Sequence, residues 1–152
     1  MKAKNYLKQI KFMDAKINTR LEEVARLQAL ATKTTSVMGG ERVQASTSQQ
    51  KMADCVTRIV ALKDEINAEI DRFVNRKQEA LKIMDEHCDP DCINLLYSRY
   101  FQYKPWEQIA VELNYTYKWV SGGLHQRALS QVQKGLDERK VKQDEASQAL
   151  QN

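Results

Sequence analysis

Two long stretches of the chain carry apolar residues every three or four positions, which is the spacing of one face of an α-helix. In residues 5–32 the apolar positions are Leu7, Ile10, Met13, Ile17, Leu21, Val24, Leu27 and Ala31. In residues 50–86 they are Met52, Val56, Ile59, Leu62, Ile66, Ile70, Phe73, Ala80 and Met84, with Lys77 as the one interruption. Two such helices bury their apolar faces only against each other or a partner. The pattern therefore predicts an antiparallel helical hairpin over residues 1–86, close to coiled-coil packing, whose wide apolar face also admits a homodimer.

The remaining segments predict shorter helices and connections. Residues 33–50 contain a Gly-Gly pair and many Ser and Thr residues, which predicts the loop of the hairpin. Asp89-Pro90 predicts a helix start, because Asp is a favoured N-cap and Pro is favoured at the first helical position. Pro105 ends that helix and begins another. We expect an all-α protein in which the hairpin is followed by a small helical domain over 89–134 and a polar tail over 135–152 that is either a frayed helix or disordered.

Residues 106–120 meet the requirements of a helix-turn-helix. The first helix needs a small residue where the second helix crosses it, and Ala110 supplies one. Four places later the turn needs a residue that tolerates positive φ, which Asn114 does more readily than most non-glycine residues. Thr116 is a favoured N-cap for a second helix over about 116–132. The residues expected in the core are Trp106, Ile109, Leu113, Tyr115 and Val120.

These residues and their neighbours resemble region four of the sigma factors. The matching pieces are Arg99-Tyr100-Phe101, Trp106-Glu107, Ile109-Ala110, Leu113, Val120 and Arg127-Ala128-Leu129. Over residues 4–132 the chain is similar to a family of Gram-positive phage and prophage proteins that resemble the ArpU/RinA-type late transcriptional regulators. Its further matching pieces are Met38-Gly39-Gly40-Glu41-Arg42-Val43-Gln44, Lys51-Met52-Ala53-Asp54 and Leu124-His125. The resemblance implies a long helical hairpin followed by a sigma-region-four-like helix-turn-helix domain, with promoter DNA and host RNA polymerase as partners.

One departure from this pattern lies within the second helix of the motif. Thirteen places after the crossing Ala the motif needs an apolar residue, but Gly123 stands there and Leu124 comes one place late. Glycine inside a helix costs about 1 kcal/mol relative to alanine. The Gly122-Gly123 pair therefore predicts a helix that is kinked, or only partly formed until DNA orders it.

The motif and the charge distribution together predict a sequence-specific double-stranded-DNA-binding transcriptional regulator of phage or prophage genes. Between Thr116 and Lys142 six Lys or Arg residues stand against two acids, so this segment carries the whole formal net charge of +4. A polyanion partner requires such a basic field. The recognition helix, about 116–132, is expected in the major groove.

The candidate DNA-binding residues are Tyr117, Lys118, Trp119, Ser121, His125 and Arg127. The first two and Ser121 are expected at base edges, where Lys118 could bind guanine O6 and N7. Trp119 is shared between packing and a phosphate contact through its indole N–H. His125 and Arg127 lie further along the helix and are expected at phosphates, although Arg127 fits a bond within the fold equally well. Arg99 is expected to pair with Glu107 or Glu112.

Other classes of function find little support in the sequence. No Gly-rich phosphate loop or nucleophile elbow is present, so we predict no enzyme, no catalytic residues and no cofactor. The odd number of cysteines argues against a disulfide framework, and His87, Cys88 and Cys92 are too few for a zinc site. No apolar run is long enough for a membrane span, which favours the cytoplasm of a bacterial host cell. The alternatives are a DNA-packaging protein resembling a small terminase subunit, and an interaction protein that acts through the helical hairpin.

Overall fold

The computed structural model describes residues 1–37 and 42–152, and it confirms the all-α prediction. The described residues are 91% helical and contain no β-strand. The helices are α1 (Ala3–Val37), α2 (Arg42–His87), α3 (Pro90–Leu96), α4 (Trp106–Leu113) and α5 (His125–Leu150), and two π-helical segments, Tyr97–Phe101 and Trp119–Leu124, adjoin α3 and α5. No helix within the described part is both long enough and apolar enough to cross a lipid bilayer.

Both long helices extend into the segment that the sequence predicts as a loop. Helix α1 continues to Val37 and α2 already begins at Arg42, whereas the Gly39-Gly40 pair lies outside the described residues. The prediction of an irregular segment over 33–50 was therefore wrong at both of its ends. Serine, threonine and glutamine cost only a few tenths of a kcal/mol per residue in a helix, which the flanking helices overcome.

The described residues divide into two compact units, and the first unit comprises residues 13–74. Its core consists of Ile17, Val24, Ile59, Leu62 and Ile66, with Leu27 and Phe73 packed against it. Lys16 and Arg20 form ion pairs with the buried Glu69, at 3.0 and 3.1 Å, and Arg20 also pairs with Glu65. Because later residues of α1 meet earlier residues of α2, the two helices run antiparallel, as the sequence predicts.

Three residues of the predicted stripes lie on the surface of this unit. Leu21, Val56 and Ile70 are exposed to solvent although they share the three-to-four spacing. A stripe that includes them is wider than the surface one partner helix can cover, so its edge remains in water.

The second unit comprises residues 1–12 and 75–152. Its fully buried side chains include Leu7, Ile10, Ile83, Met84, Cys92, Leu95, Leu96, Ile109, Val120 and Val132. The N–H of Ala3 donates a hydrogen bond to Gln133 Oε1 at 2.7 Å, which ties the start of α1 to α5. The ends of both long helices thus share a core with the C-terminal helices, so the division differs from the predicted boundary at residue 86.

The segment after Gly135, expected either as a frayed helix or as disordered, is helical and continues α5 to Leu150. Gly135 itself is buried where α5 approaches α2, and a Cβ there would lie 2.6 Å from His87 Cδ2 and 2.7 Å from Ile83 Cγ2. Because Gly135 has no side chain, α5 and α2 can come close together at this point. The helical alternative therefore describes this segment, and the disordered alternative does not.

Candidate nucleic-acid interface

The turn after α4 has the conformation that the sequence predicts. Asn114 adopts left-handed angles, φ 63° and ψ 37°, and its N–H donates to the carbonyl of Val111. The N–H of Tyr115 donates to the carbonyl of Ala110 at 3.0 Å, which satisfies a helix-end carbonyl. The left-handed angles of Asn114 end α4 and change the direction of the chain. The hydrogen bonds at this turn satisfy carbonyls at the end of the helix.

The helix that follows begins with the predicted N-cap. Thr116 Oγ1 accepts a hydrogen bond from the N–H of Trp119 at 3.2 Å, and the carbonyl of Thr116 accepts from Val120 at 3.1 Å. In the first turn Ser121 Oγ donates to the carbonyl of Tyr117 at 2.8 Å. The backbone is helical from Tyr117 to Leu150 without a break. Of the two expected consequences of Gly122-Gly123, the structure shows an irregular helical segment and not a partly formed helix.

A π-helical segment, Trp119–Leu124, absorbs the residue that the motif has in excess. A π-helical turn holds one residue more than an α-helical turn, so a single extra residue is accommodated without a break. As a result Leu124 reaches the core, at 2% exposure, whereas Gly123 faces solvent. Leu124, which stands one place after the position that the motif requires, is therefore the residue that is buried.

The surface of this first turn carries three large exposed side chains. Tyr117 is 51% exposed, Trp119 is 42% exposed, and Lys118 between them is also exposed. Directly beneath them Val120 is completely buried against a core that includes Ile109. The structure thus brings Tyr117, Lys118, Trp119 and the half-buried Ser121 together on a well-anchored helix start. We call these four residues the candidate surface.

His125 does not belong to the candidate surface, which corrects its expected phosphate contact. Its side chain is only 5% exposed, and its Nε2 lies 2.8 Å from Tyr100 Oη. The Trp106 ring packs edge-on at 4.7 Å between centroids. Burial, and then the positive charges of Lys4 and Arg99, lower the pKa of His125 to about 4. The imidazole is therefore neutral at pH 7 and supports the core.

Arg127 forms the bond within the fold that the sequence left open. Its Nη2 lies 2.6 Å from Asp89 Oδ2, although the side chain remains 59% exposed. Asp89 also accepts hydrogen bonds from Gln131 Nε2 at 3.0 Å and from the N–H of Cys92 at 3.1 Å, as the predicted cap of α3. These hydrogen bonds, with the nearby Arg127, lower the pKa of the Asp89 carboxyl. Arg127 therefore joins α5 to the start of α3.

The expectation about the partner of Arg99 was wrong. Arg99 pairs with neither predicted acid: its Nη1 donates to the carbonyl of Lys104 at 3.1 Å, and its guanidinium stacks 4.3 Å from the Trp106 ring centroid. Lys104 instead binds Glu112 at 2.9 Å. The loop before α4 places Lys104 over that helix. The spacing of residues in the sequence does not predict the path of this loop.

Tyr115, expected in the core, is largely exposed, and its hydroxyl donates to Asp91 Oδ2 at 2.6 Å. The residue follows the left-handed Asn114 directly. Because the chain changes direction at Asn114, the side chain of Tyr115 lies along the surface and reaches α3. The one sequence signal for this hydrogen bond is a tyrosine, which has a polar hydroxyl, placed next to a turn.

The positive charge of the segment 116–142 is spread along α5 and does not accumulate at the candidate surface. Lys118 is the basic residue of the exposed first turn, and Arg127 is bound to Asp89. Arg139 pairs with Glu79 at 3.8 Å. Lys134 lies about 24 Å along the helix from Lys118, at 1.5 Å per residue. The electrostatic contribution of the candidate surface therefore depends chiefly on Lys118.

Comparisons of the chain with protein-family models, with curated proteins and with solved structures gave no match.

Proposed function

We propose that this protein is a sequence-specific regulator of phage or prophage transcription that binds double-stranded DNA in the cytoplasm of the bacterial host. The observation that carries the proposal is the exposure of Tyr117, Lys118 and Trp119 on the first turn of a helix anchored by the buried Val120. Recognition helices of helix-turn-helix proteins contact base edges with residues at their N-terminal end.

The chemistry of the candidate surface suits base recognition. Lys118 can donate to guanine O6 and N7, and Ser121 has a hydroxyl that serves as donor or acceptor. Tyr117 offers a phenol of the same dual character. Trp119 has an indole N–H that can donate to a phosphate oxygen, whereas its ring gives apolar contact area. Four side chains of these types at the start of one helix favour recognition of a short DNA sequence.

The candidate surface is supported by a closely packed core. Val120 and Ile109 are completely buried, and the Tyr100–His125 contact lies in the same core. A recognition surface has to hold its side chains within a fraction of an ångström, which requires such packing. The capped start of the helix at Thr116 fixes the first turn further.

Contact with host RNA polymerase, which the resemblance implies, would use a surface other than the base-reading turn. Helix α4 offers Val111, whose side chain is 79% exposed. An exposed valine can add apolar area to a protein contact. Replacing Val111 with Glu should then reduce co-purification of the polymerase without changing DNA affinity.

The experiment that tests the proposal is selection of fragments of the source genome by the purified full-length protein at about 0.15 M salt, the physiological ionic strength. Enrichment of one short site upstream of a gene block supports a regulator. Enrichment near a packaging origin, with a ring of many subunits, would replace it with the small-terminase-like function. Weak, salt-sensitive binding with no enriched site would reject sequence-specific binding, because electrostatic attraction alone behaves in this way.

A further inference from the structure

Within the unit formed by residues 13–74, helix α2 carries a second stripe beside its buried one. The members of this outer stripe alternate in spacing between four and three residues: Val56, Val60, Lys63, Asn67, Ile70 and Val74. Val60 is 55% exposed, and Ile70, the least exposed of its apolar members, is 37% exposed. Alternation of four and three is the spacing of the a and d positions of a coiled coil. The outer stripe extends over about 27 Å of helix.

The order of residues in the outer stripe is the same from either end. Two apolar residues are followed by two polar ones and then by two apolar ones. If a second α2 lies antiparallel with the two-fold axis near residue 65, Val56 meets Val74 and Val60 meets Ile70. Lys63 then meets Asn67, so every layer pairs residues of the same character. A two-fold interface must be complementary to itself in this way.

We propose that a second copy of this chain covers the outer stripe, giving a two-fold dimer in which the two α2 helices run antiparallel. In antiparallel coiled coils each a position shares a layer with a d position, and the three pairings above all do so. The inference does not depend on DNA binding. It adds a subunit interface to the protein, whatever its ligand.

The charges on α2 favour the antiparallel arrangement over the parallel one. A parallel dimer would place Lys63 directly against Lys63 of the other copy, and opposed like charges destabilise a helix pair. In the antiparallel dimer Lys63 meets the uncharged Asn67. No ion pair within the described residues involves Lys63.

Helix α1 extends the same face with a further apolar residue. Leu21 is 47% exposed and follows Arg20, which pairs with Glu65 and Glu69 at the centre of α2. Leu21 lies four residues after the core residue Ile17, as Ile70 lies four residues after the core residue Ile66. Equal offsets on antiparallel helices place both side chains on one side of the hairpin. The dimer would thus be a four-helix assembly.

Sedimentation equilibrium of the full-length chain, at concentrations up to about 0.5 mM, gives the first test because association follows mass action. We expect a monomer–dimer equilibrium. The double variant Val60→Glu with Ile70→Glu should weaken dimerisation about 100-fold or more, since each layer that pairs residues 60 and 70 would then contain two carboxylates. The matched control is Ala61→Glu with Ala68→Glu, at exposed positions outside the outer stripe, which should dimerise like the parent. A monomer at every concentration, or an undiminished dimer of the stripe variant, would overturn the proposal.

Disulfide trapping tests the direction of the helices without relying on a disruptive variant. Cys55 and Cys88 are replaced by Ser, Cys92 being completely buried. Under mild oxidation a mixture of Val60→Cys and Ile70→Cys chains should form the mixed dimer. The single variants alone should cross-link poorly. Preferential cross-linking of Val60→Cys to itself would show a parallel dimer and contradict the antiparallel register.

Discussion

The indole ring of Trp119 lies against the α-carbon of Gly123, in space that a side chain at position 123 would occupy. Both residues belong to the π-helical segment that contains the extra residue of the second helix. The glycine thus leaves room for a large aromatic side chain on the candidate surface. Gly122, one residue earlier, has open space where a Cβ would be added. The two glycines therefore form a matched pair for substitution.

Replacing Gly122 with Ala should raise the free energy of unfolding by about 0.5–1 kcal/mol, because alanine is the better helix former. Replacing Gly123 with Ala should gain less or lose stability, because the Trp119 ring has to move. In a Trp106→Phe background, where Trp119 is the remaining tryptophan, its emission should shift with Gly123→Ala and stay unchanged with Gly122→Ala. Thermal melts and fluorescence measure both effects. Equal gains with unchanged emission would contradict the contact.

The neutral state of His125 predicts a specific loss of stability in acid. Its pKa is about 4 in the folded protein against an ordinary value of 6.5. Protonation favours the unfolded chain, so the stabilisation is complete above pH 6.5 and is lost as pH falls from 6.5 to about 4. The difference of the two pKa values corresponds to about 3 kcal/mol.

Urea titrations at several pH values should show that His125→Gln removes this component of the pH dependence. The replacement of the other histidine, His87→Gln, is the control and should retain it. If the stability of His125→Gln fell between pH 6.5 and 4 as steeply as that of the parent, His125 would not be the buried neutral group described above.

The turn between α4 and the recognition helix should be sensitive to the residue at position 114. Asn114→Ala should lower the free energy of unfolding by about 1 kcal/mol, because a β-carbon disfavours left-handed angles that Asn tolerates better. Asn114→Gly should be close to neutral. Asn94→Ala, on the exposed surface of α3, is the control and should not destabilise. Equal stability of the Ala and Gly variants at position 114 would argue against the left-handed turn.

The local features of the turn could be predicted from the sequence, whereas the far end of the candidate site could not. The positions of Asn114, Thr116 and Val120 follow from demands that act within a few residues. Beyond Val120 a regular helical count places His125 outside. The π-helical segment adds one residue, which turns everything after it by about 100°, the rotation of one residue in an α-helix. His125 and Ala128 therefore face the core.

The spacing of apolar residues also could not predict which edge of the hairpin is exposed. Val56 and Ile70 share the periodicity of the buried residues, but the partner helix covers only Ile59, Leu62 and Ile66 fully. Periodicity indicates which residues lie on one broad face. Which part of that face is covered depends on the position of α1, and the sequence contains no short-range signal for it.

The buried carboxylate of Glu69 should be the most important charge in the unit formed by residues 13–74. Glu69→Gln should lower the free energy of unfolding by about 1–3 kcal/mol, since it leaves Lys16 and Arg20 without their shared acid and both can still reach water. Glu22→Gln, at an exposed position of α1, should change it little. Chemical denaturation of both variants measures the difference. A loss no larger than that of Glu22→Gln would show that the cluster is not stabilising.

The most direct measurement of the central claim is the affinity of the protein for its selected DNA site and for a scrambled duplex, at about 0.15 M salt. We expect the selected site to bind on the order of 1,000-fold tighter or more, as specific DNA-binding proteins do. Lys118→Ala should reduce that ratio by about 10-fold to 100-fold, corresponding to loss of one base contact. The control Lys51→Ala, an exposed lysine on α2 outside the outer stripe, should leave it unchanged. Equal binding of both duplexes, or equal behaviour of the two lysine variants, would contradict base reading by this helix.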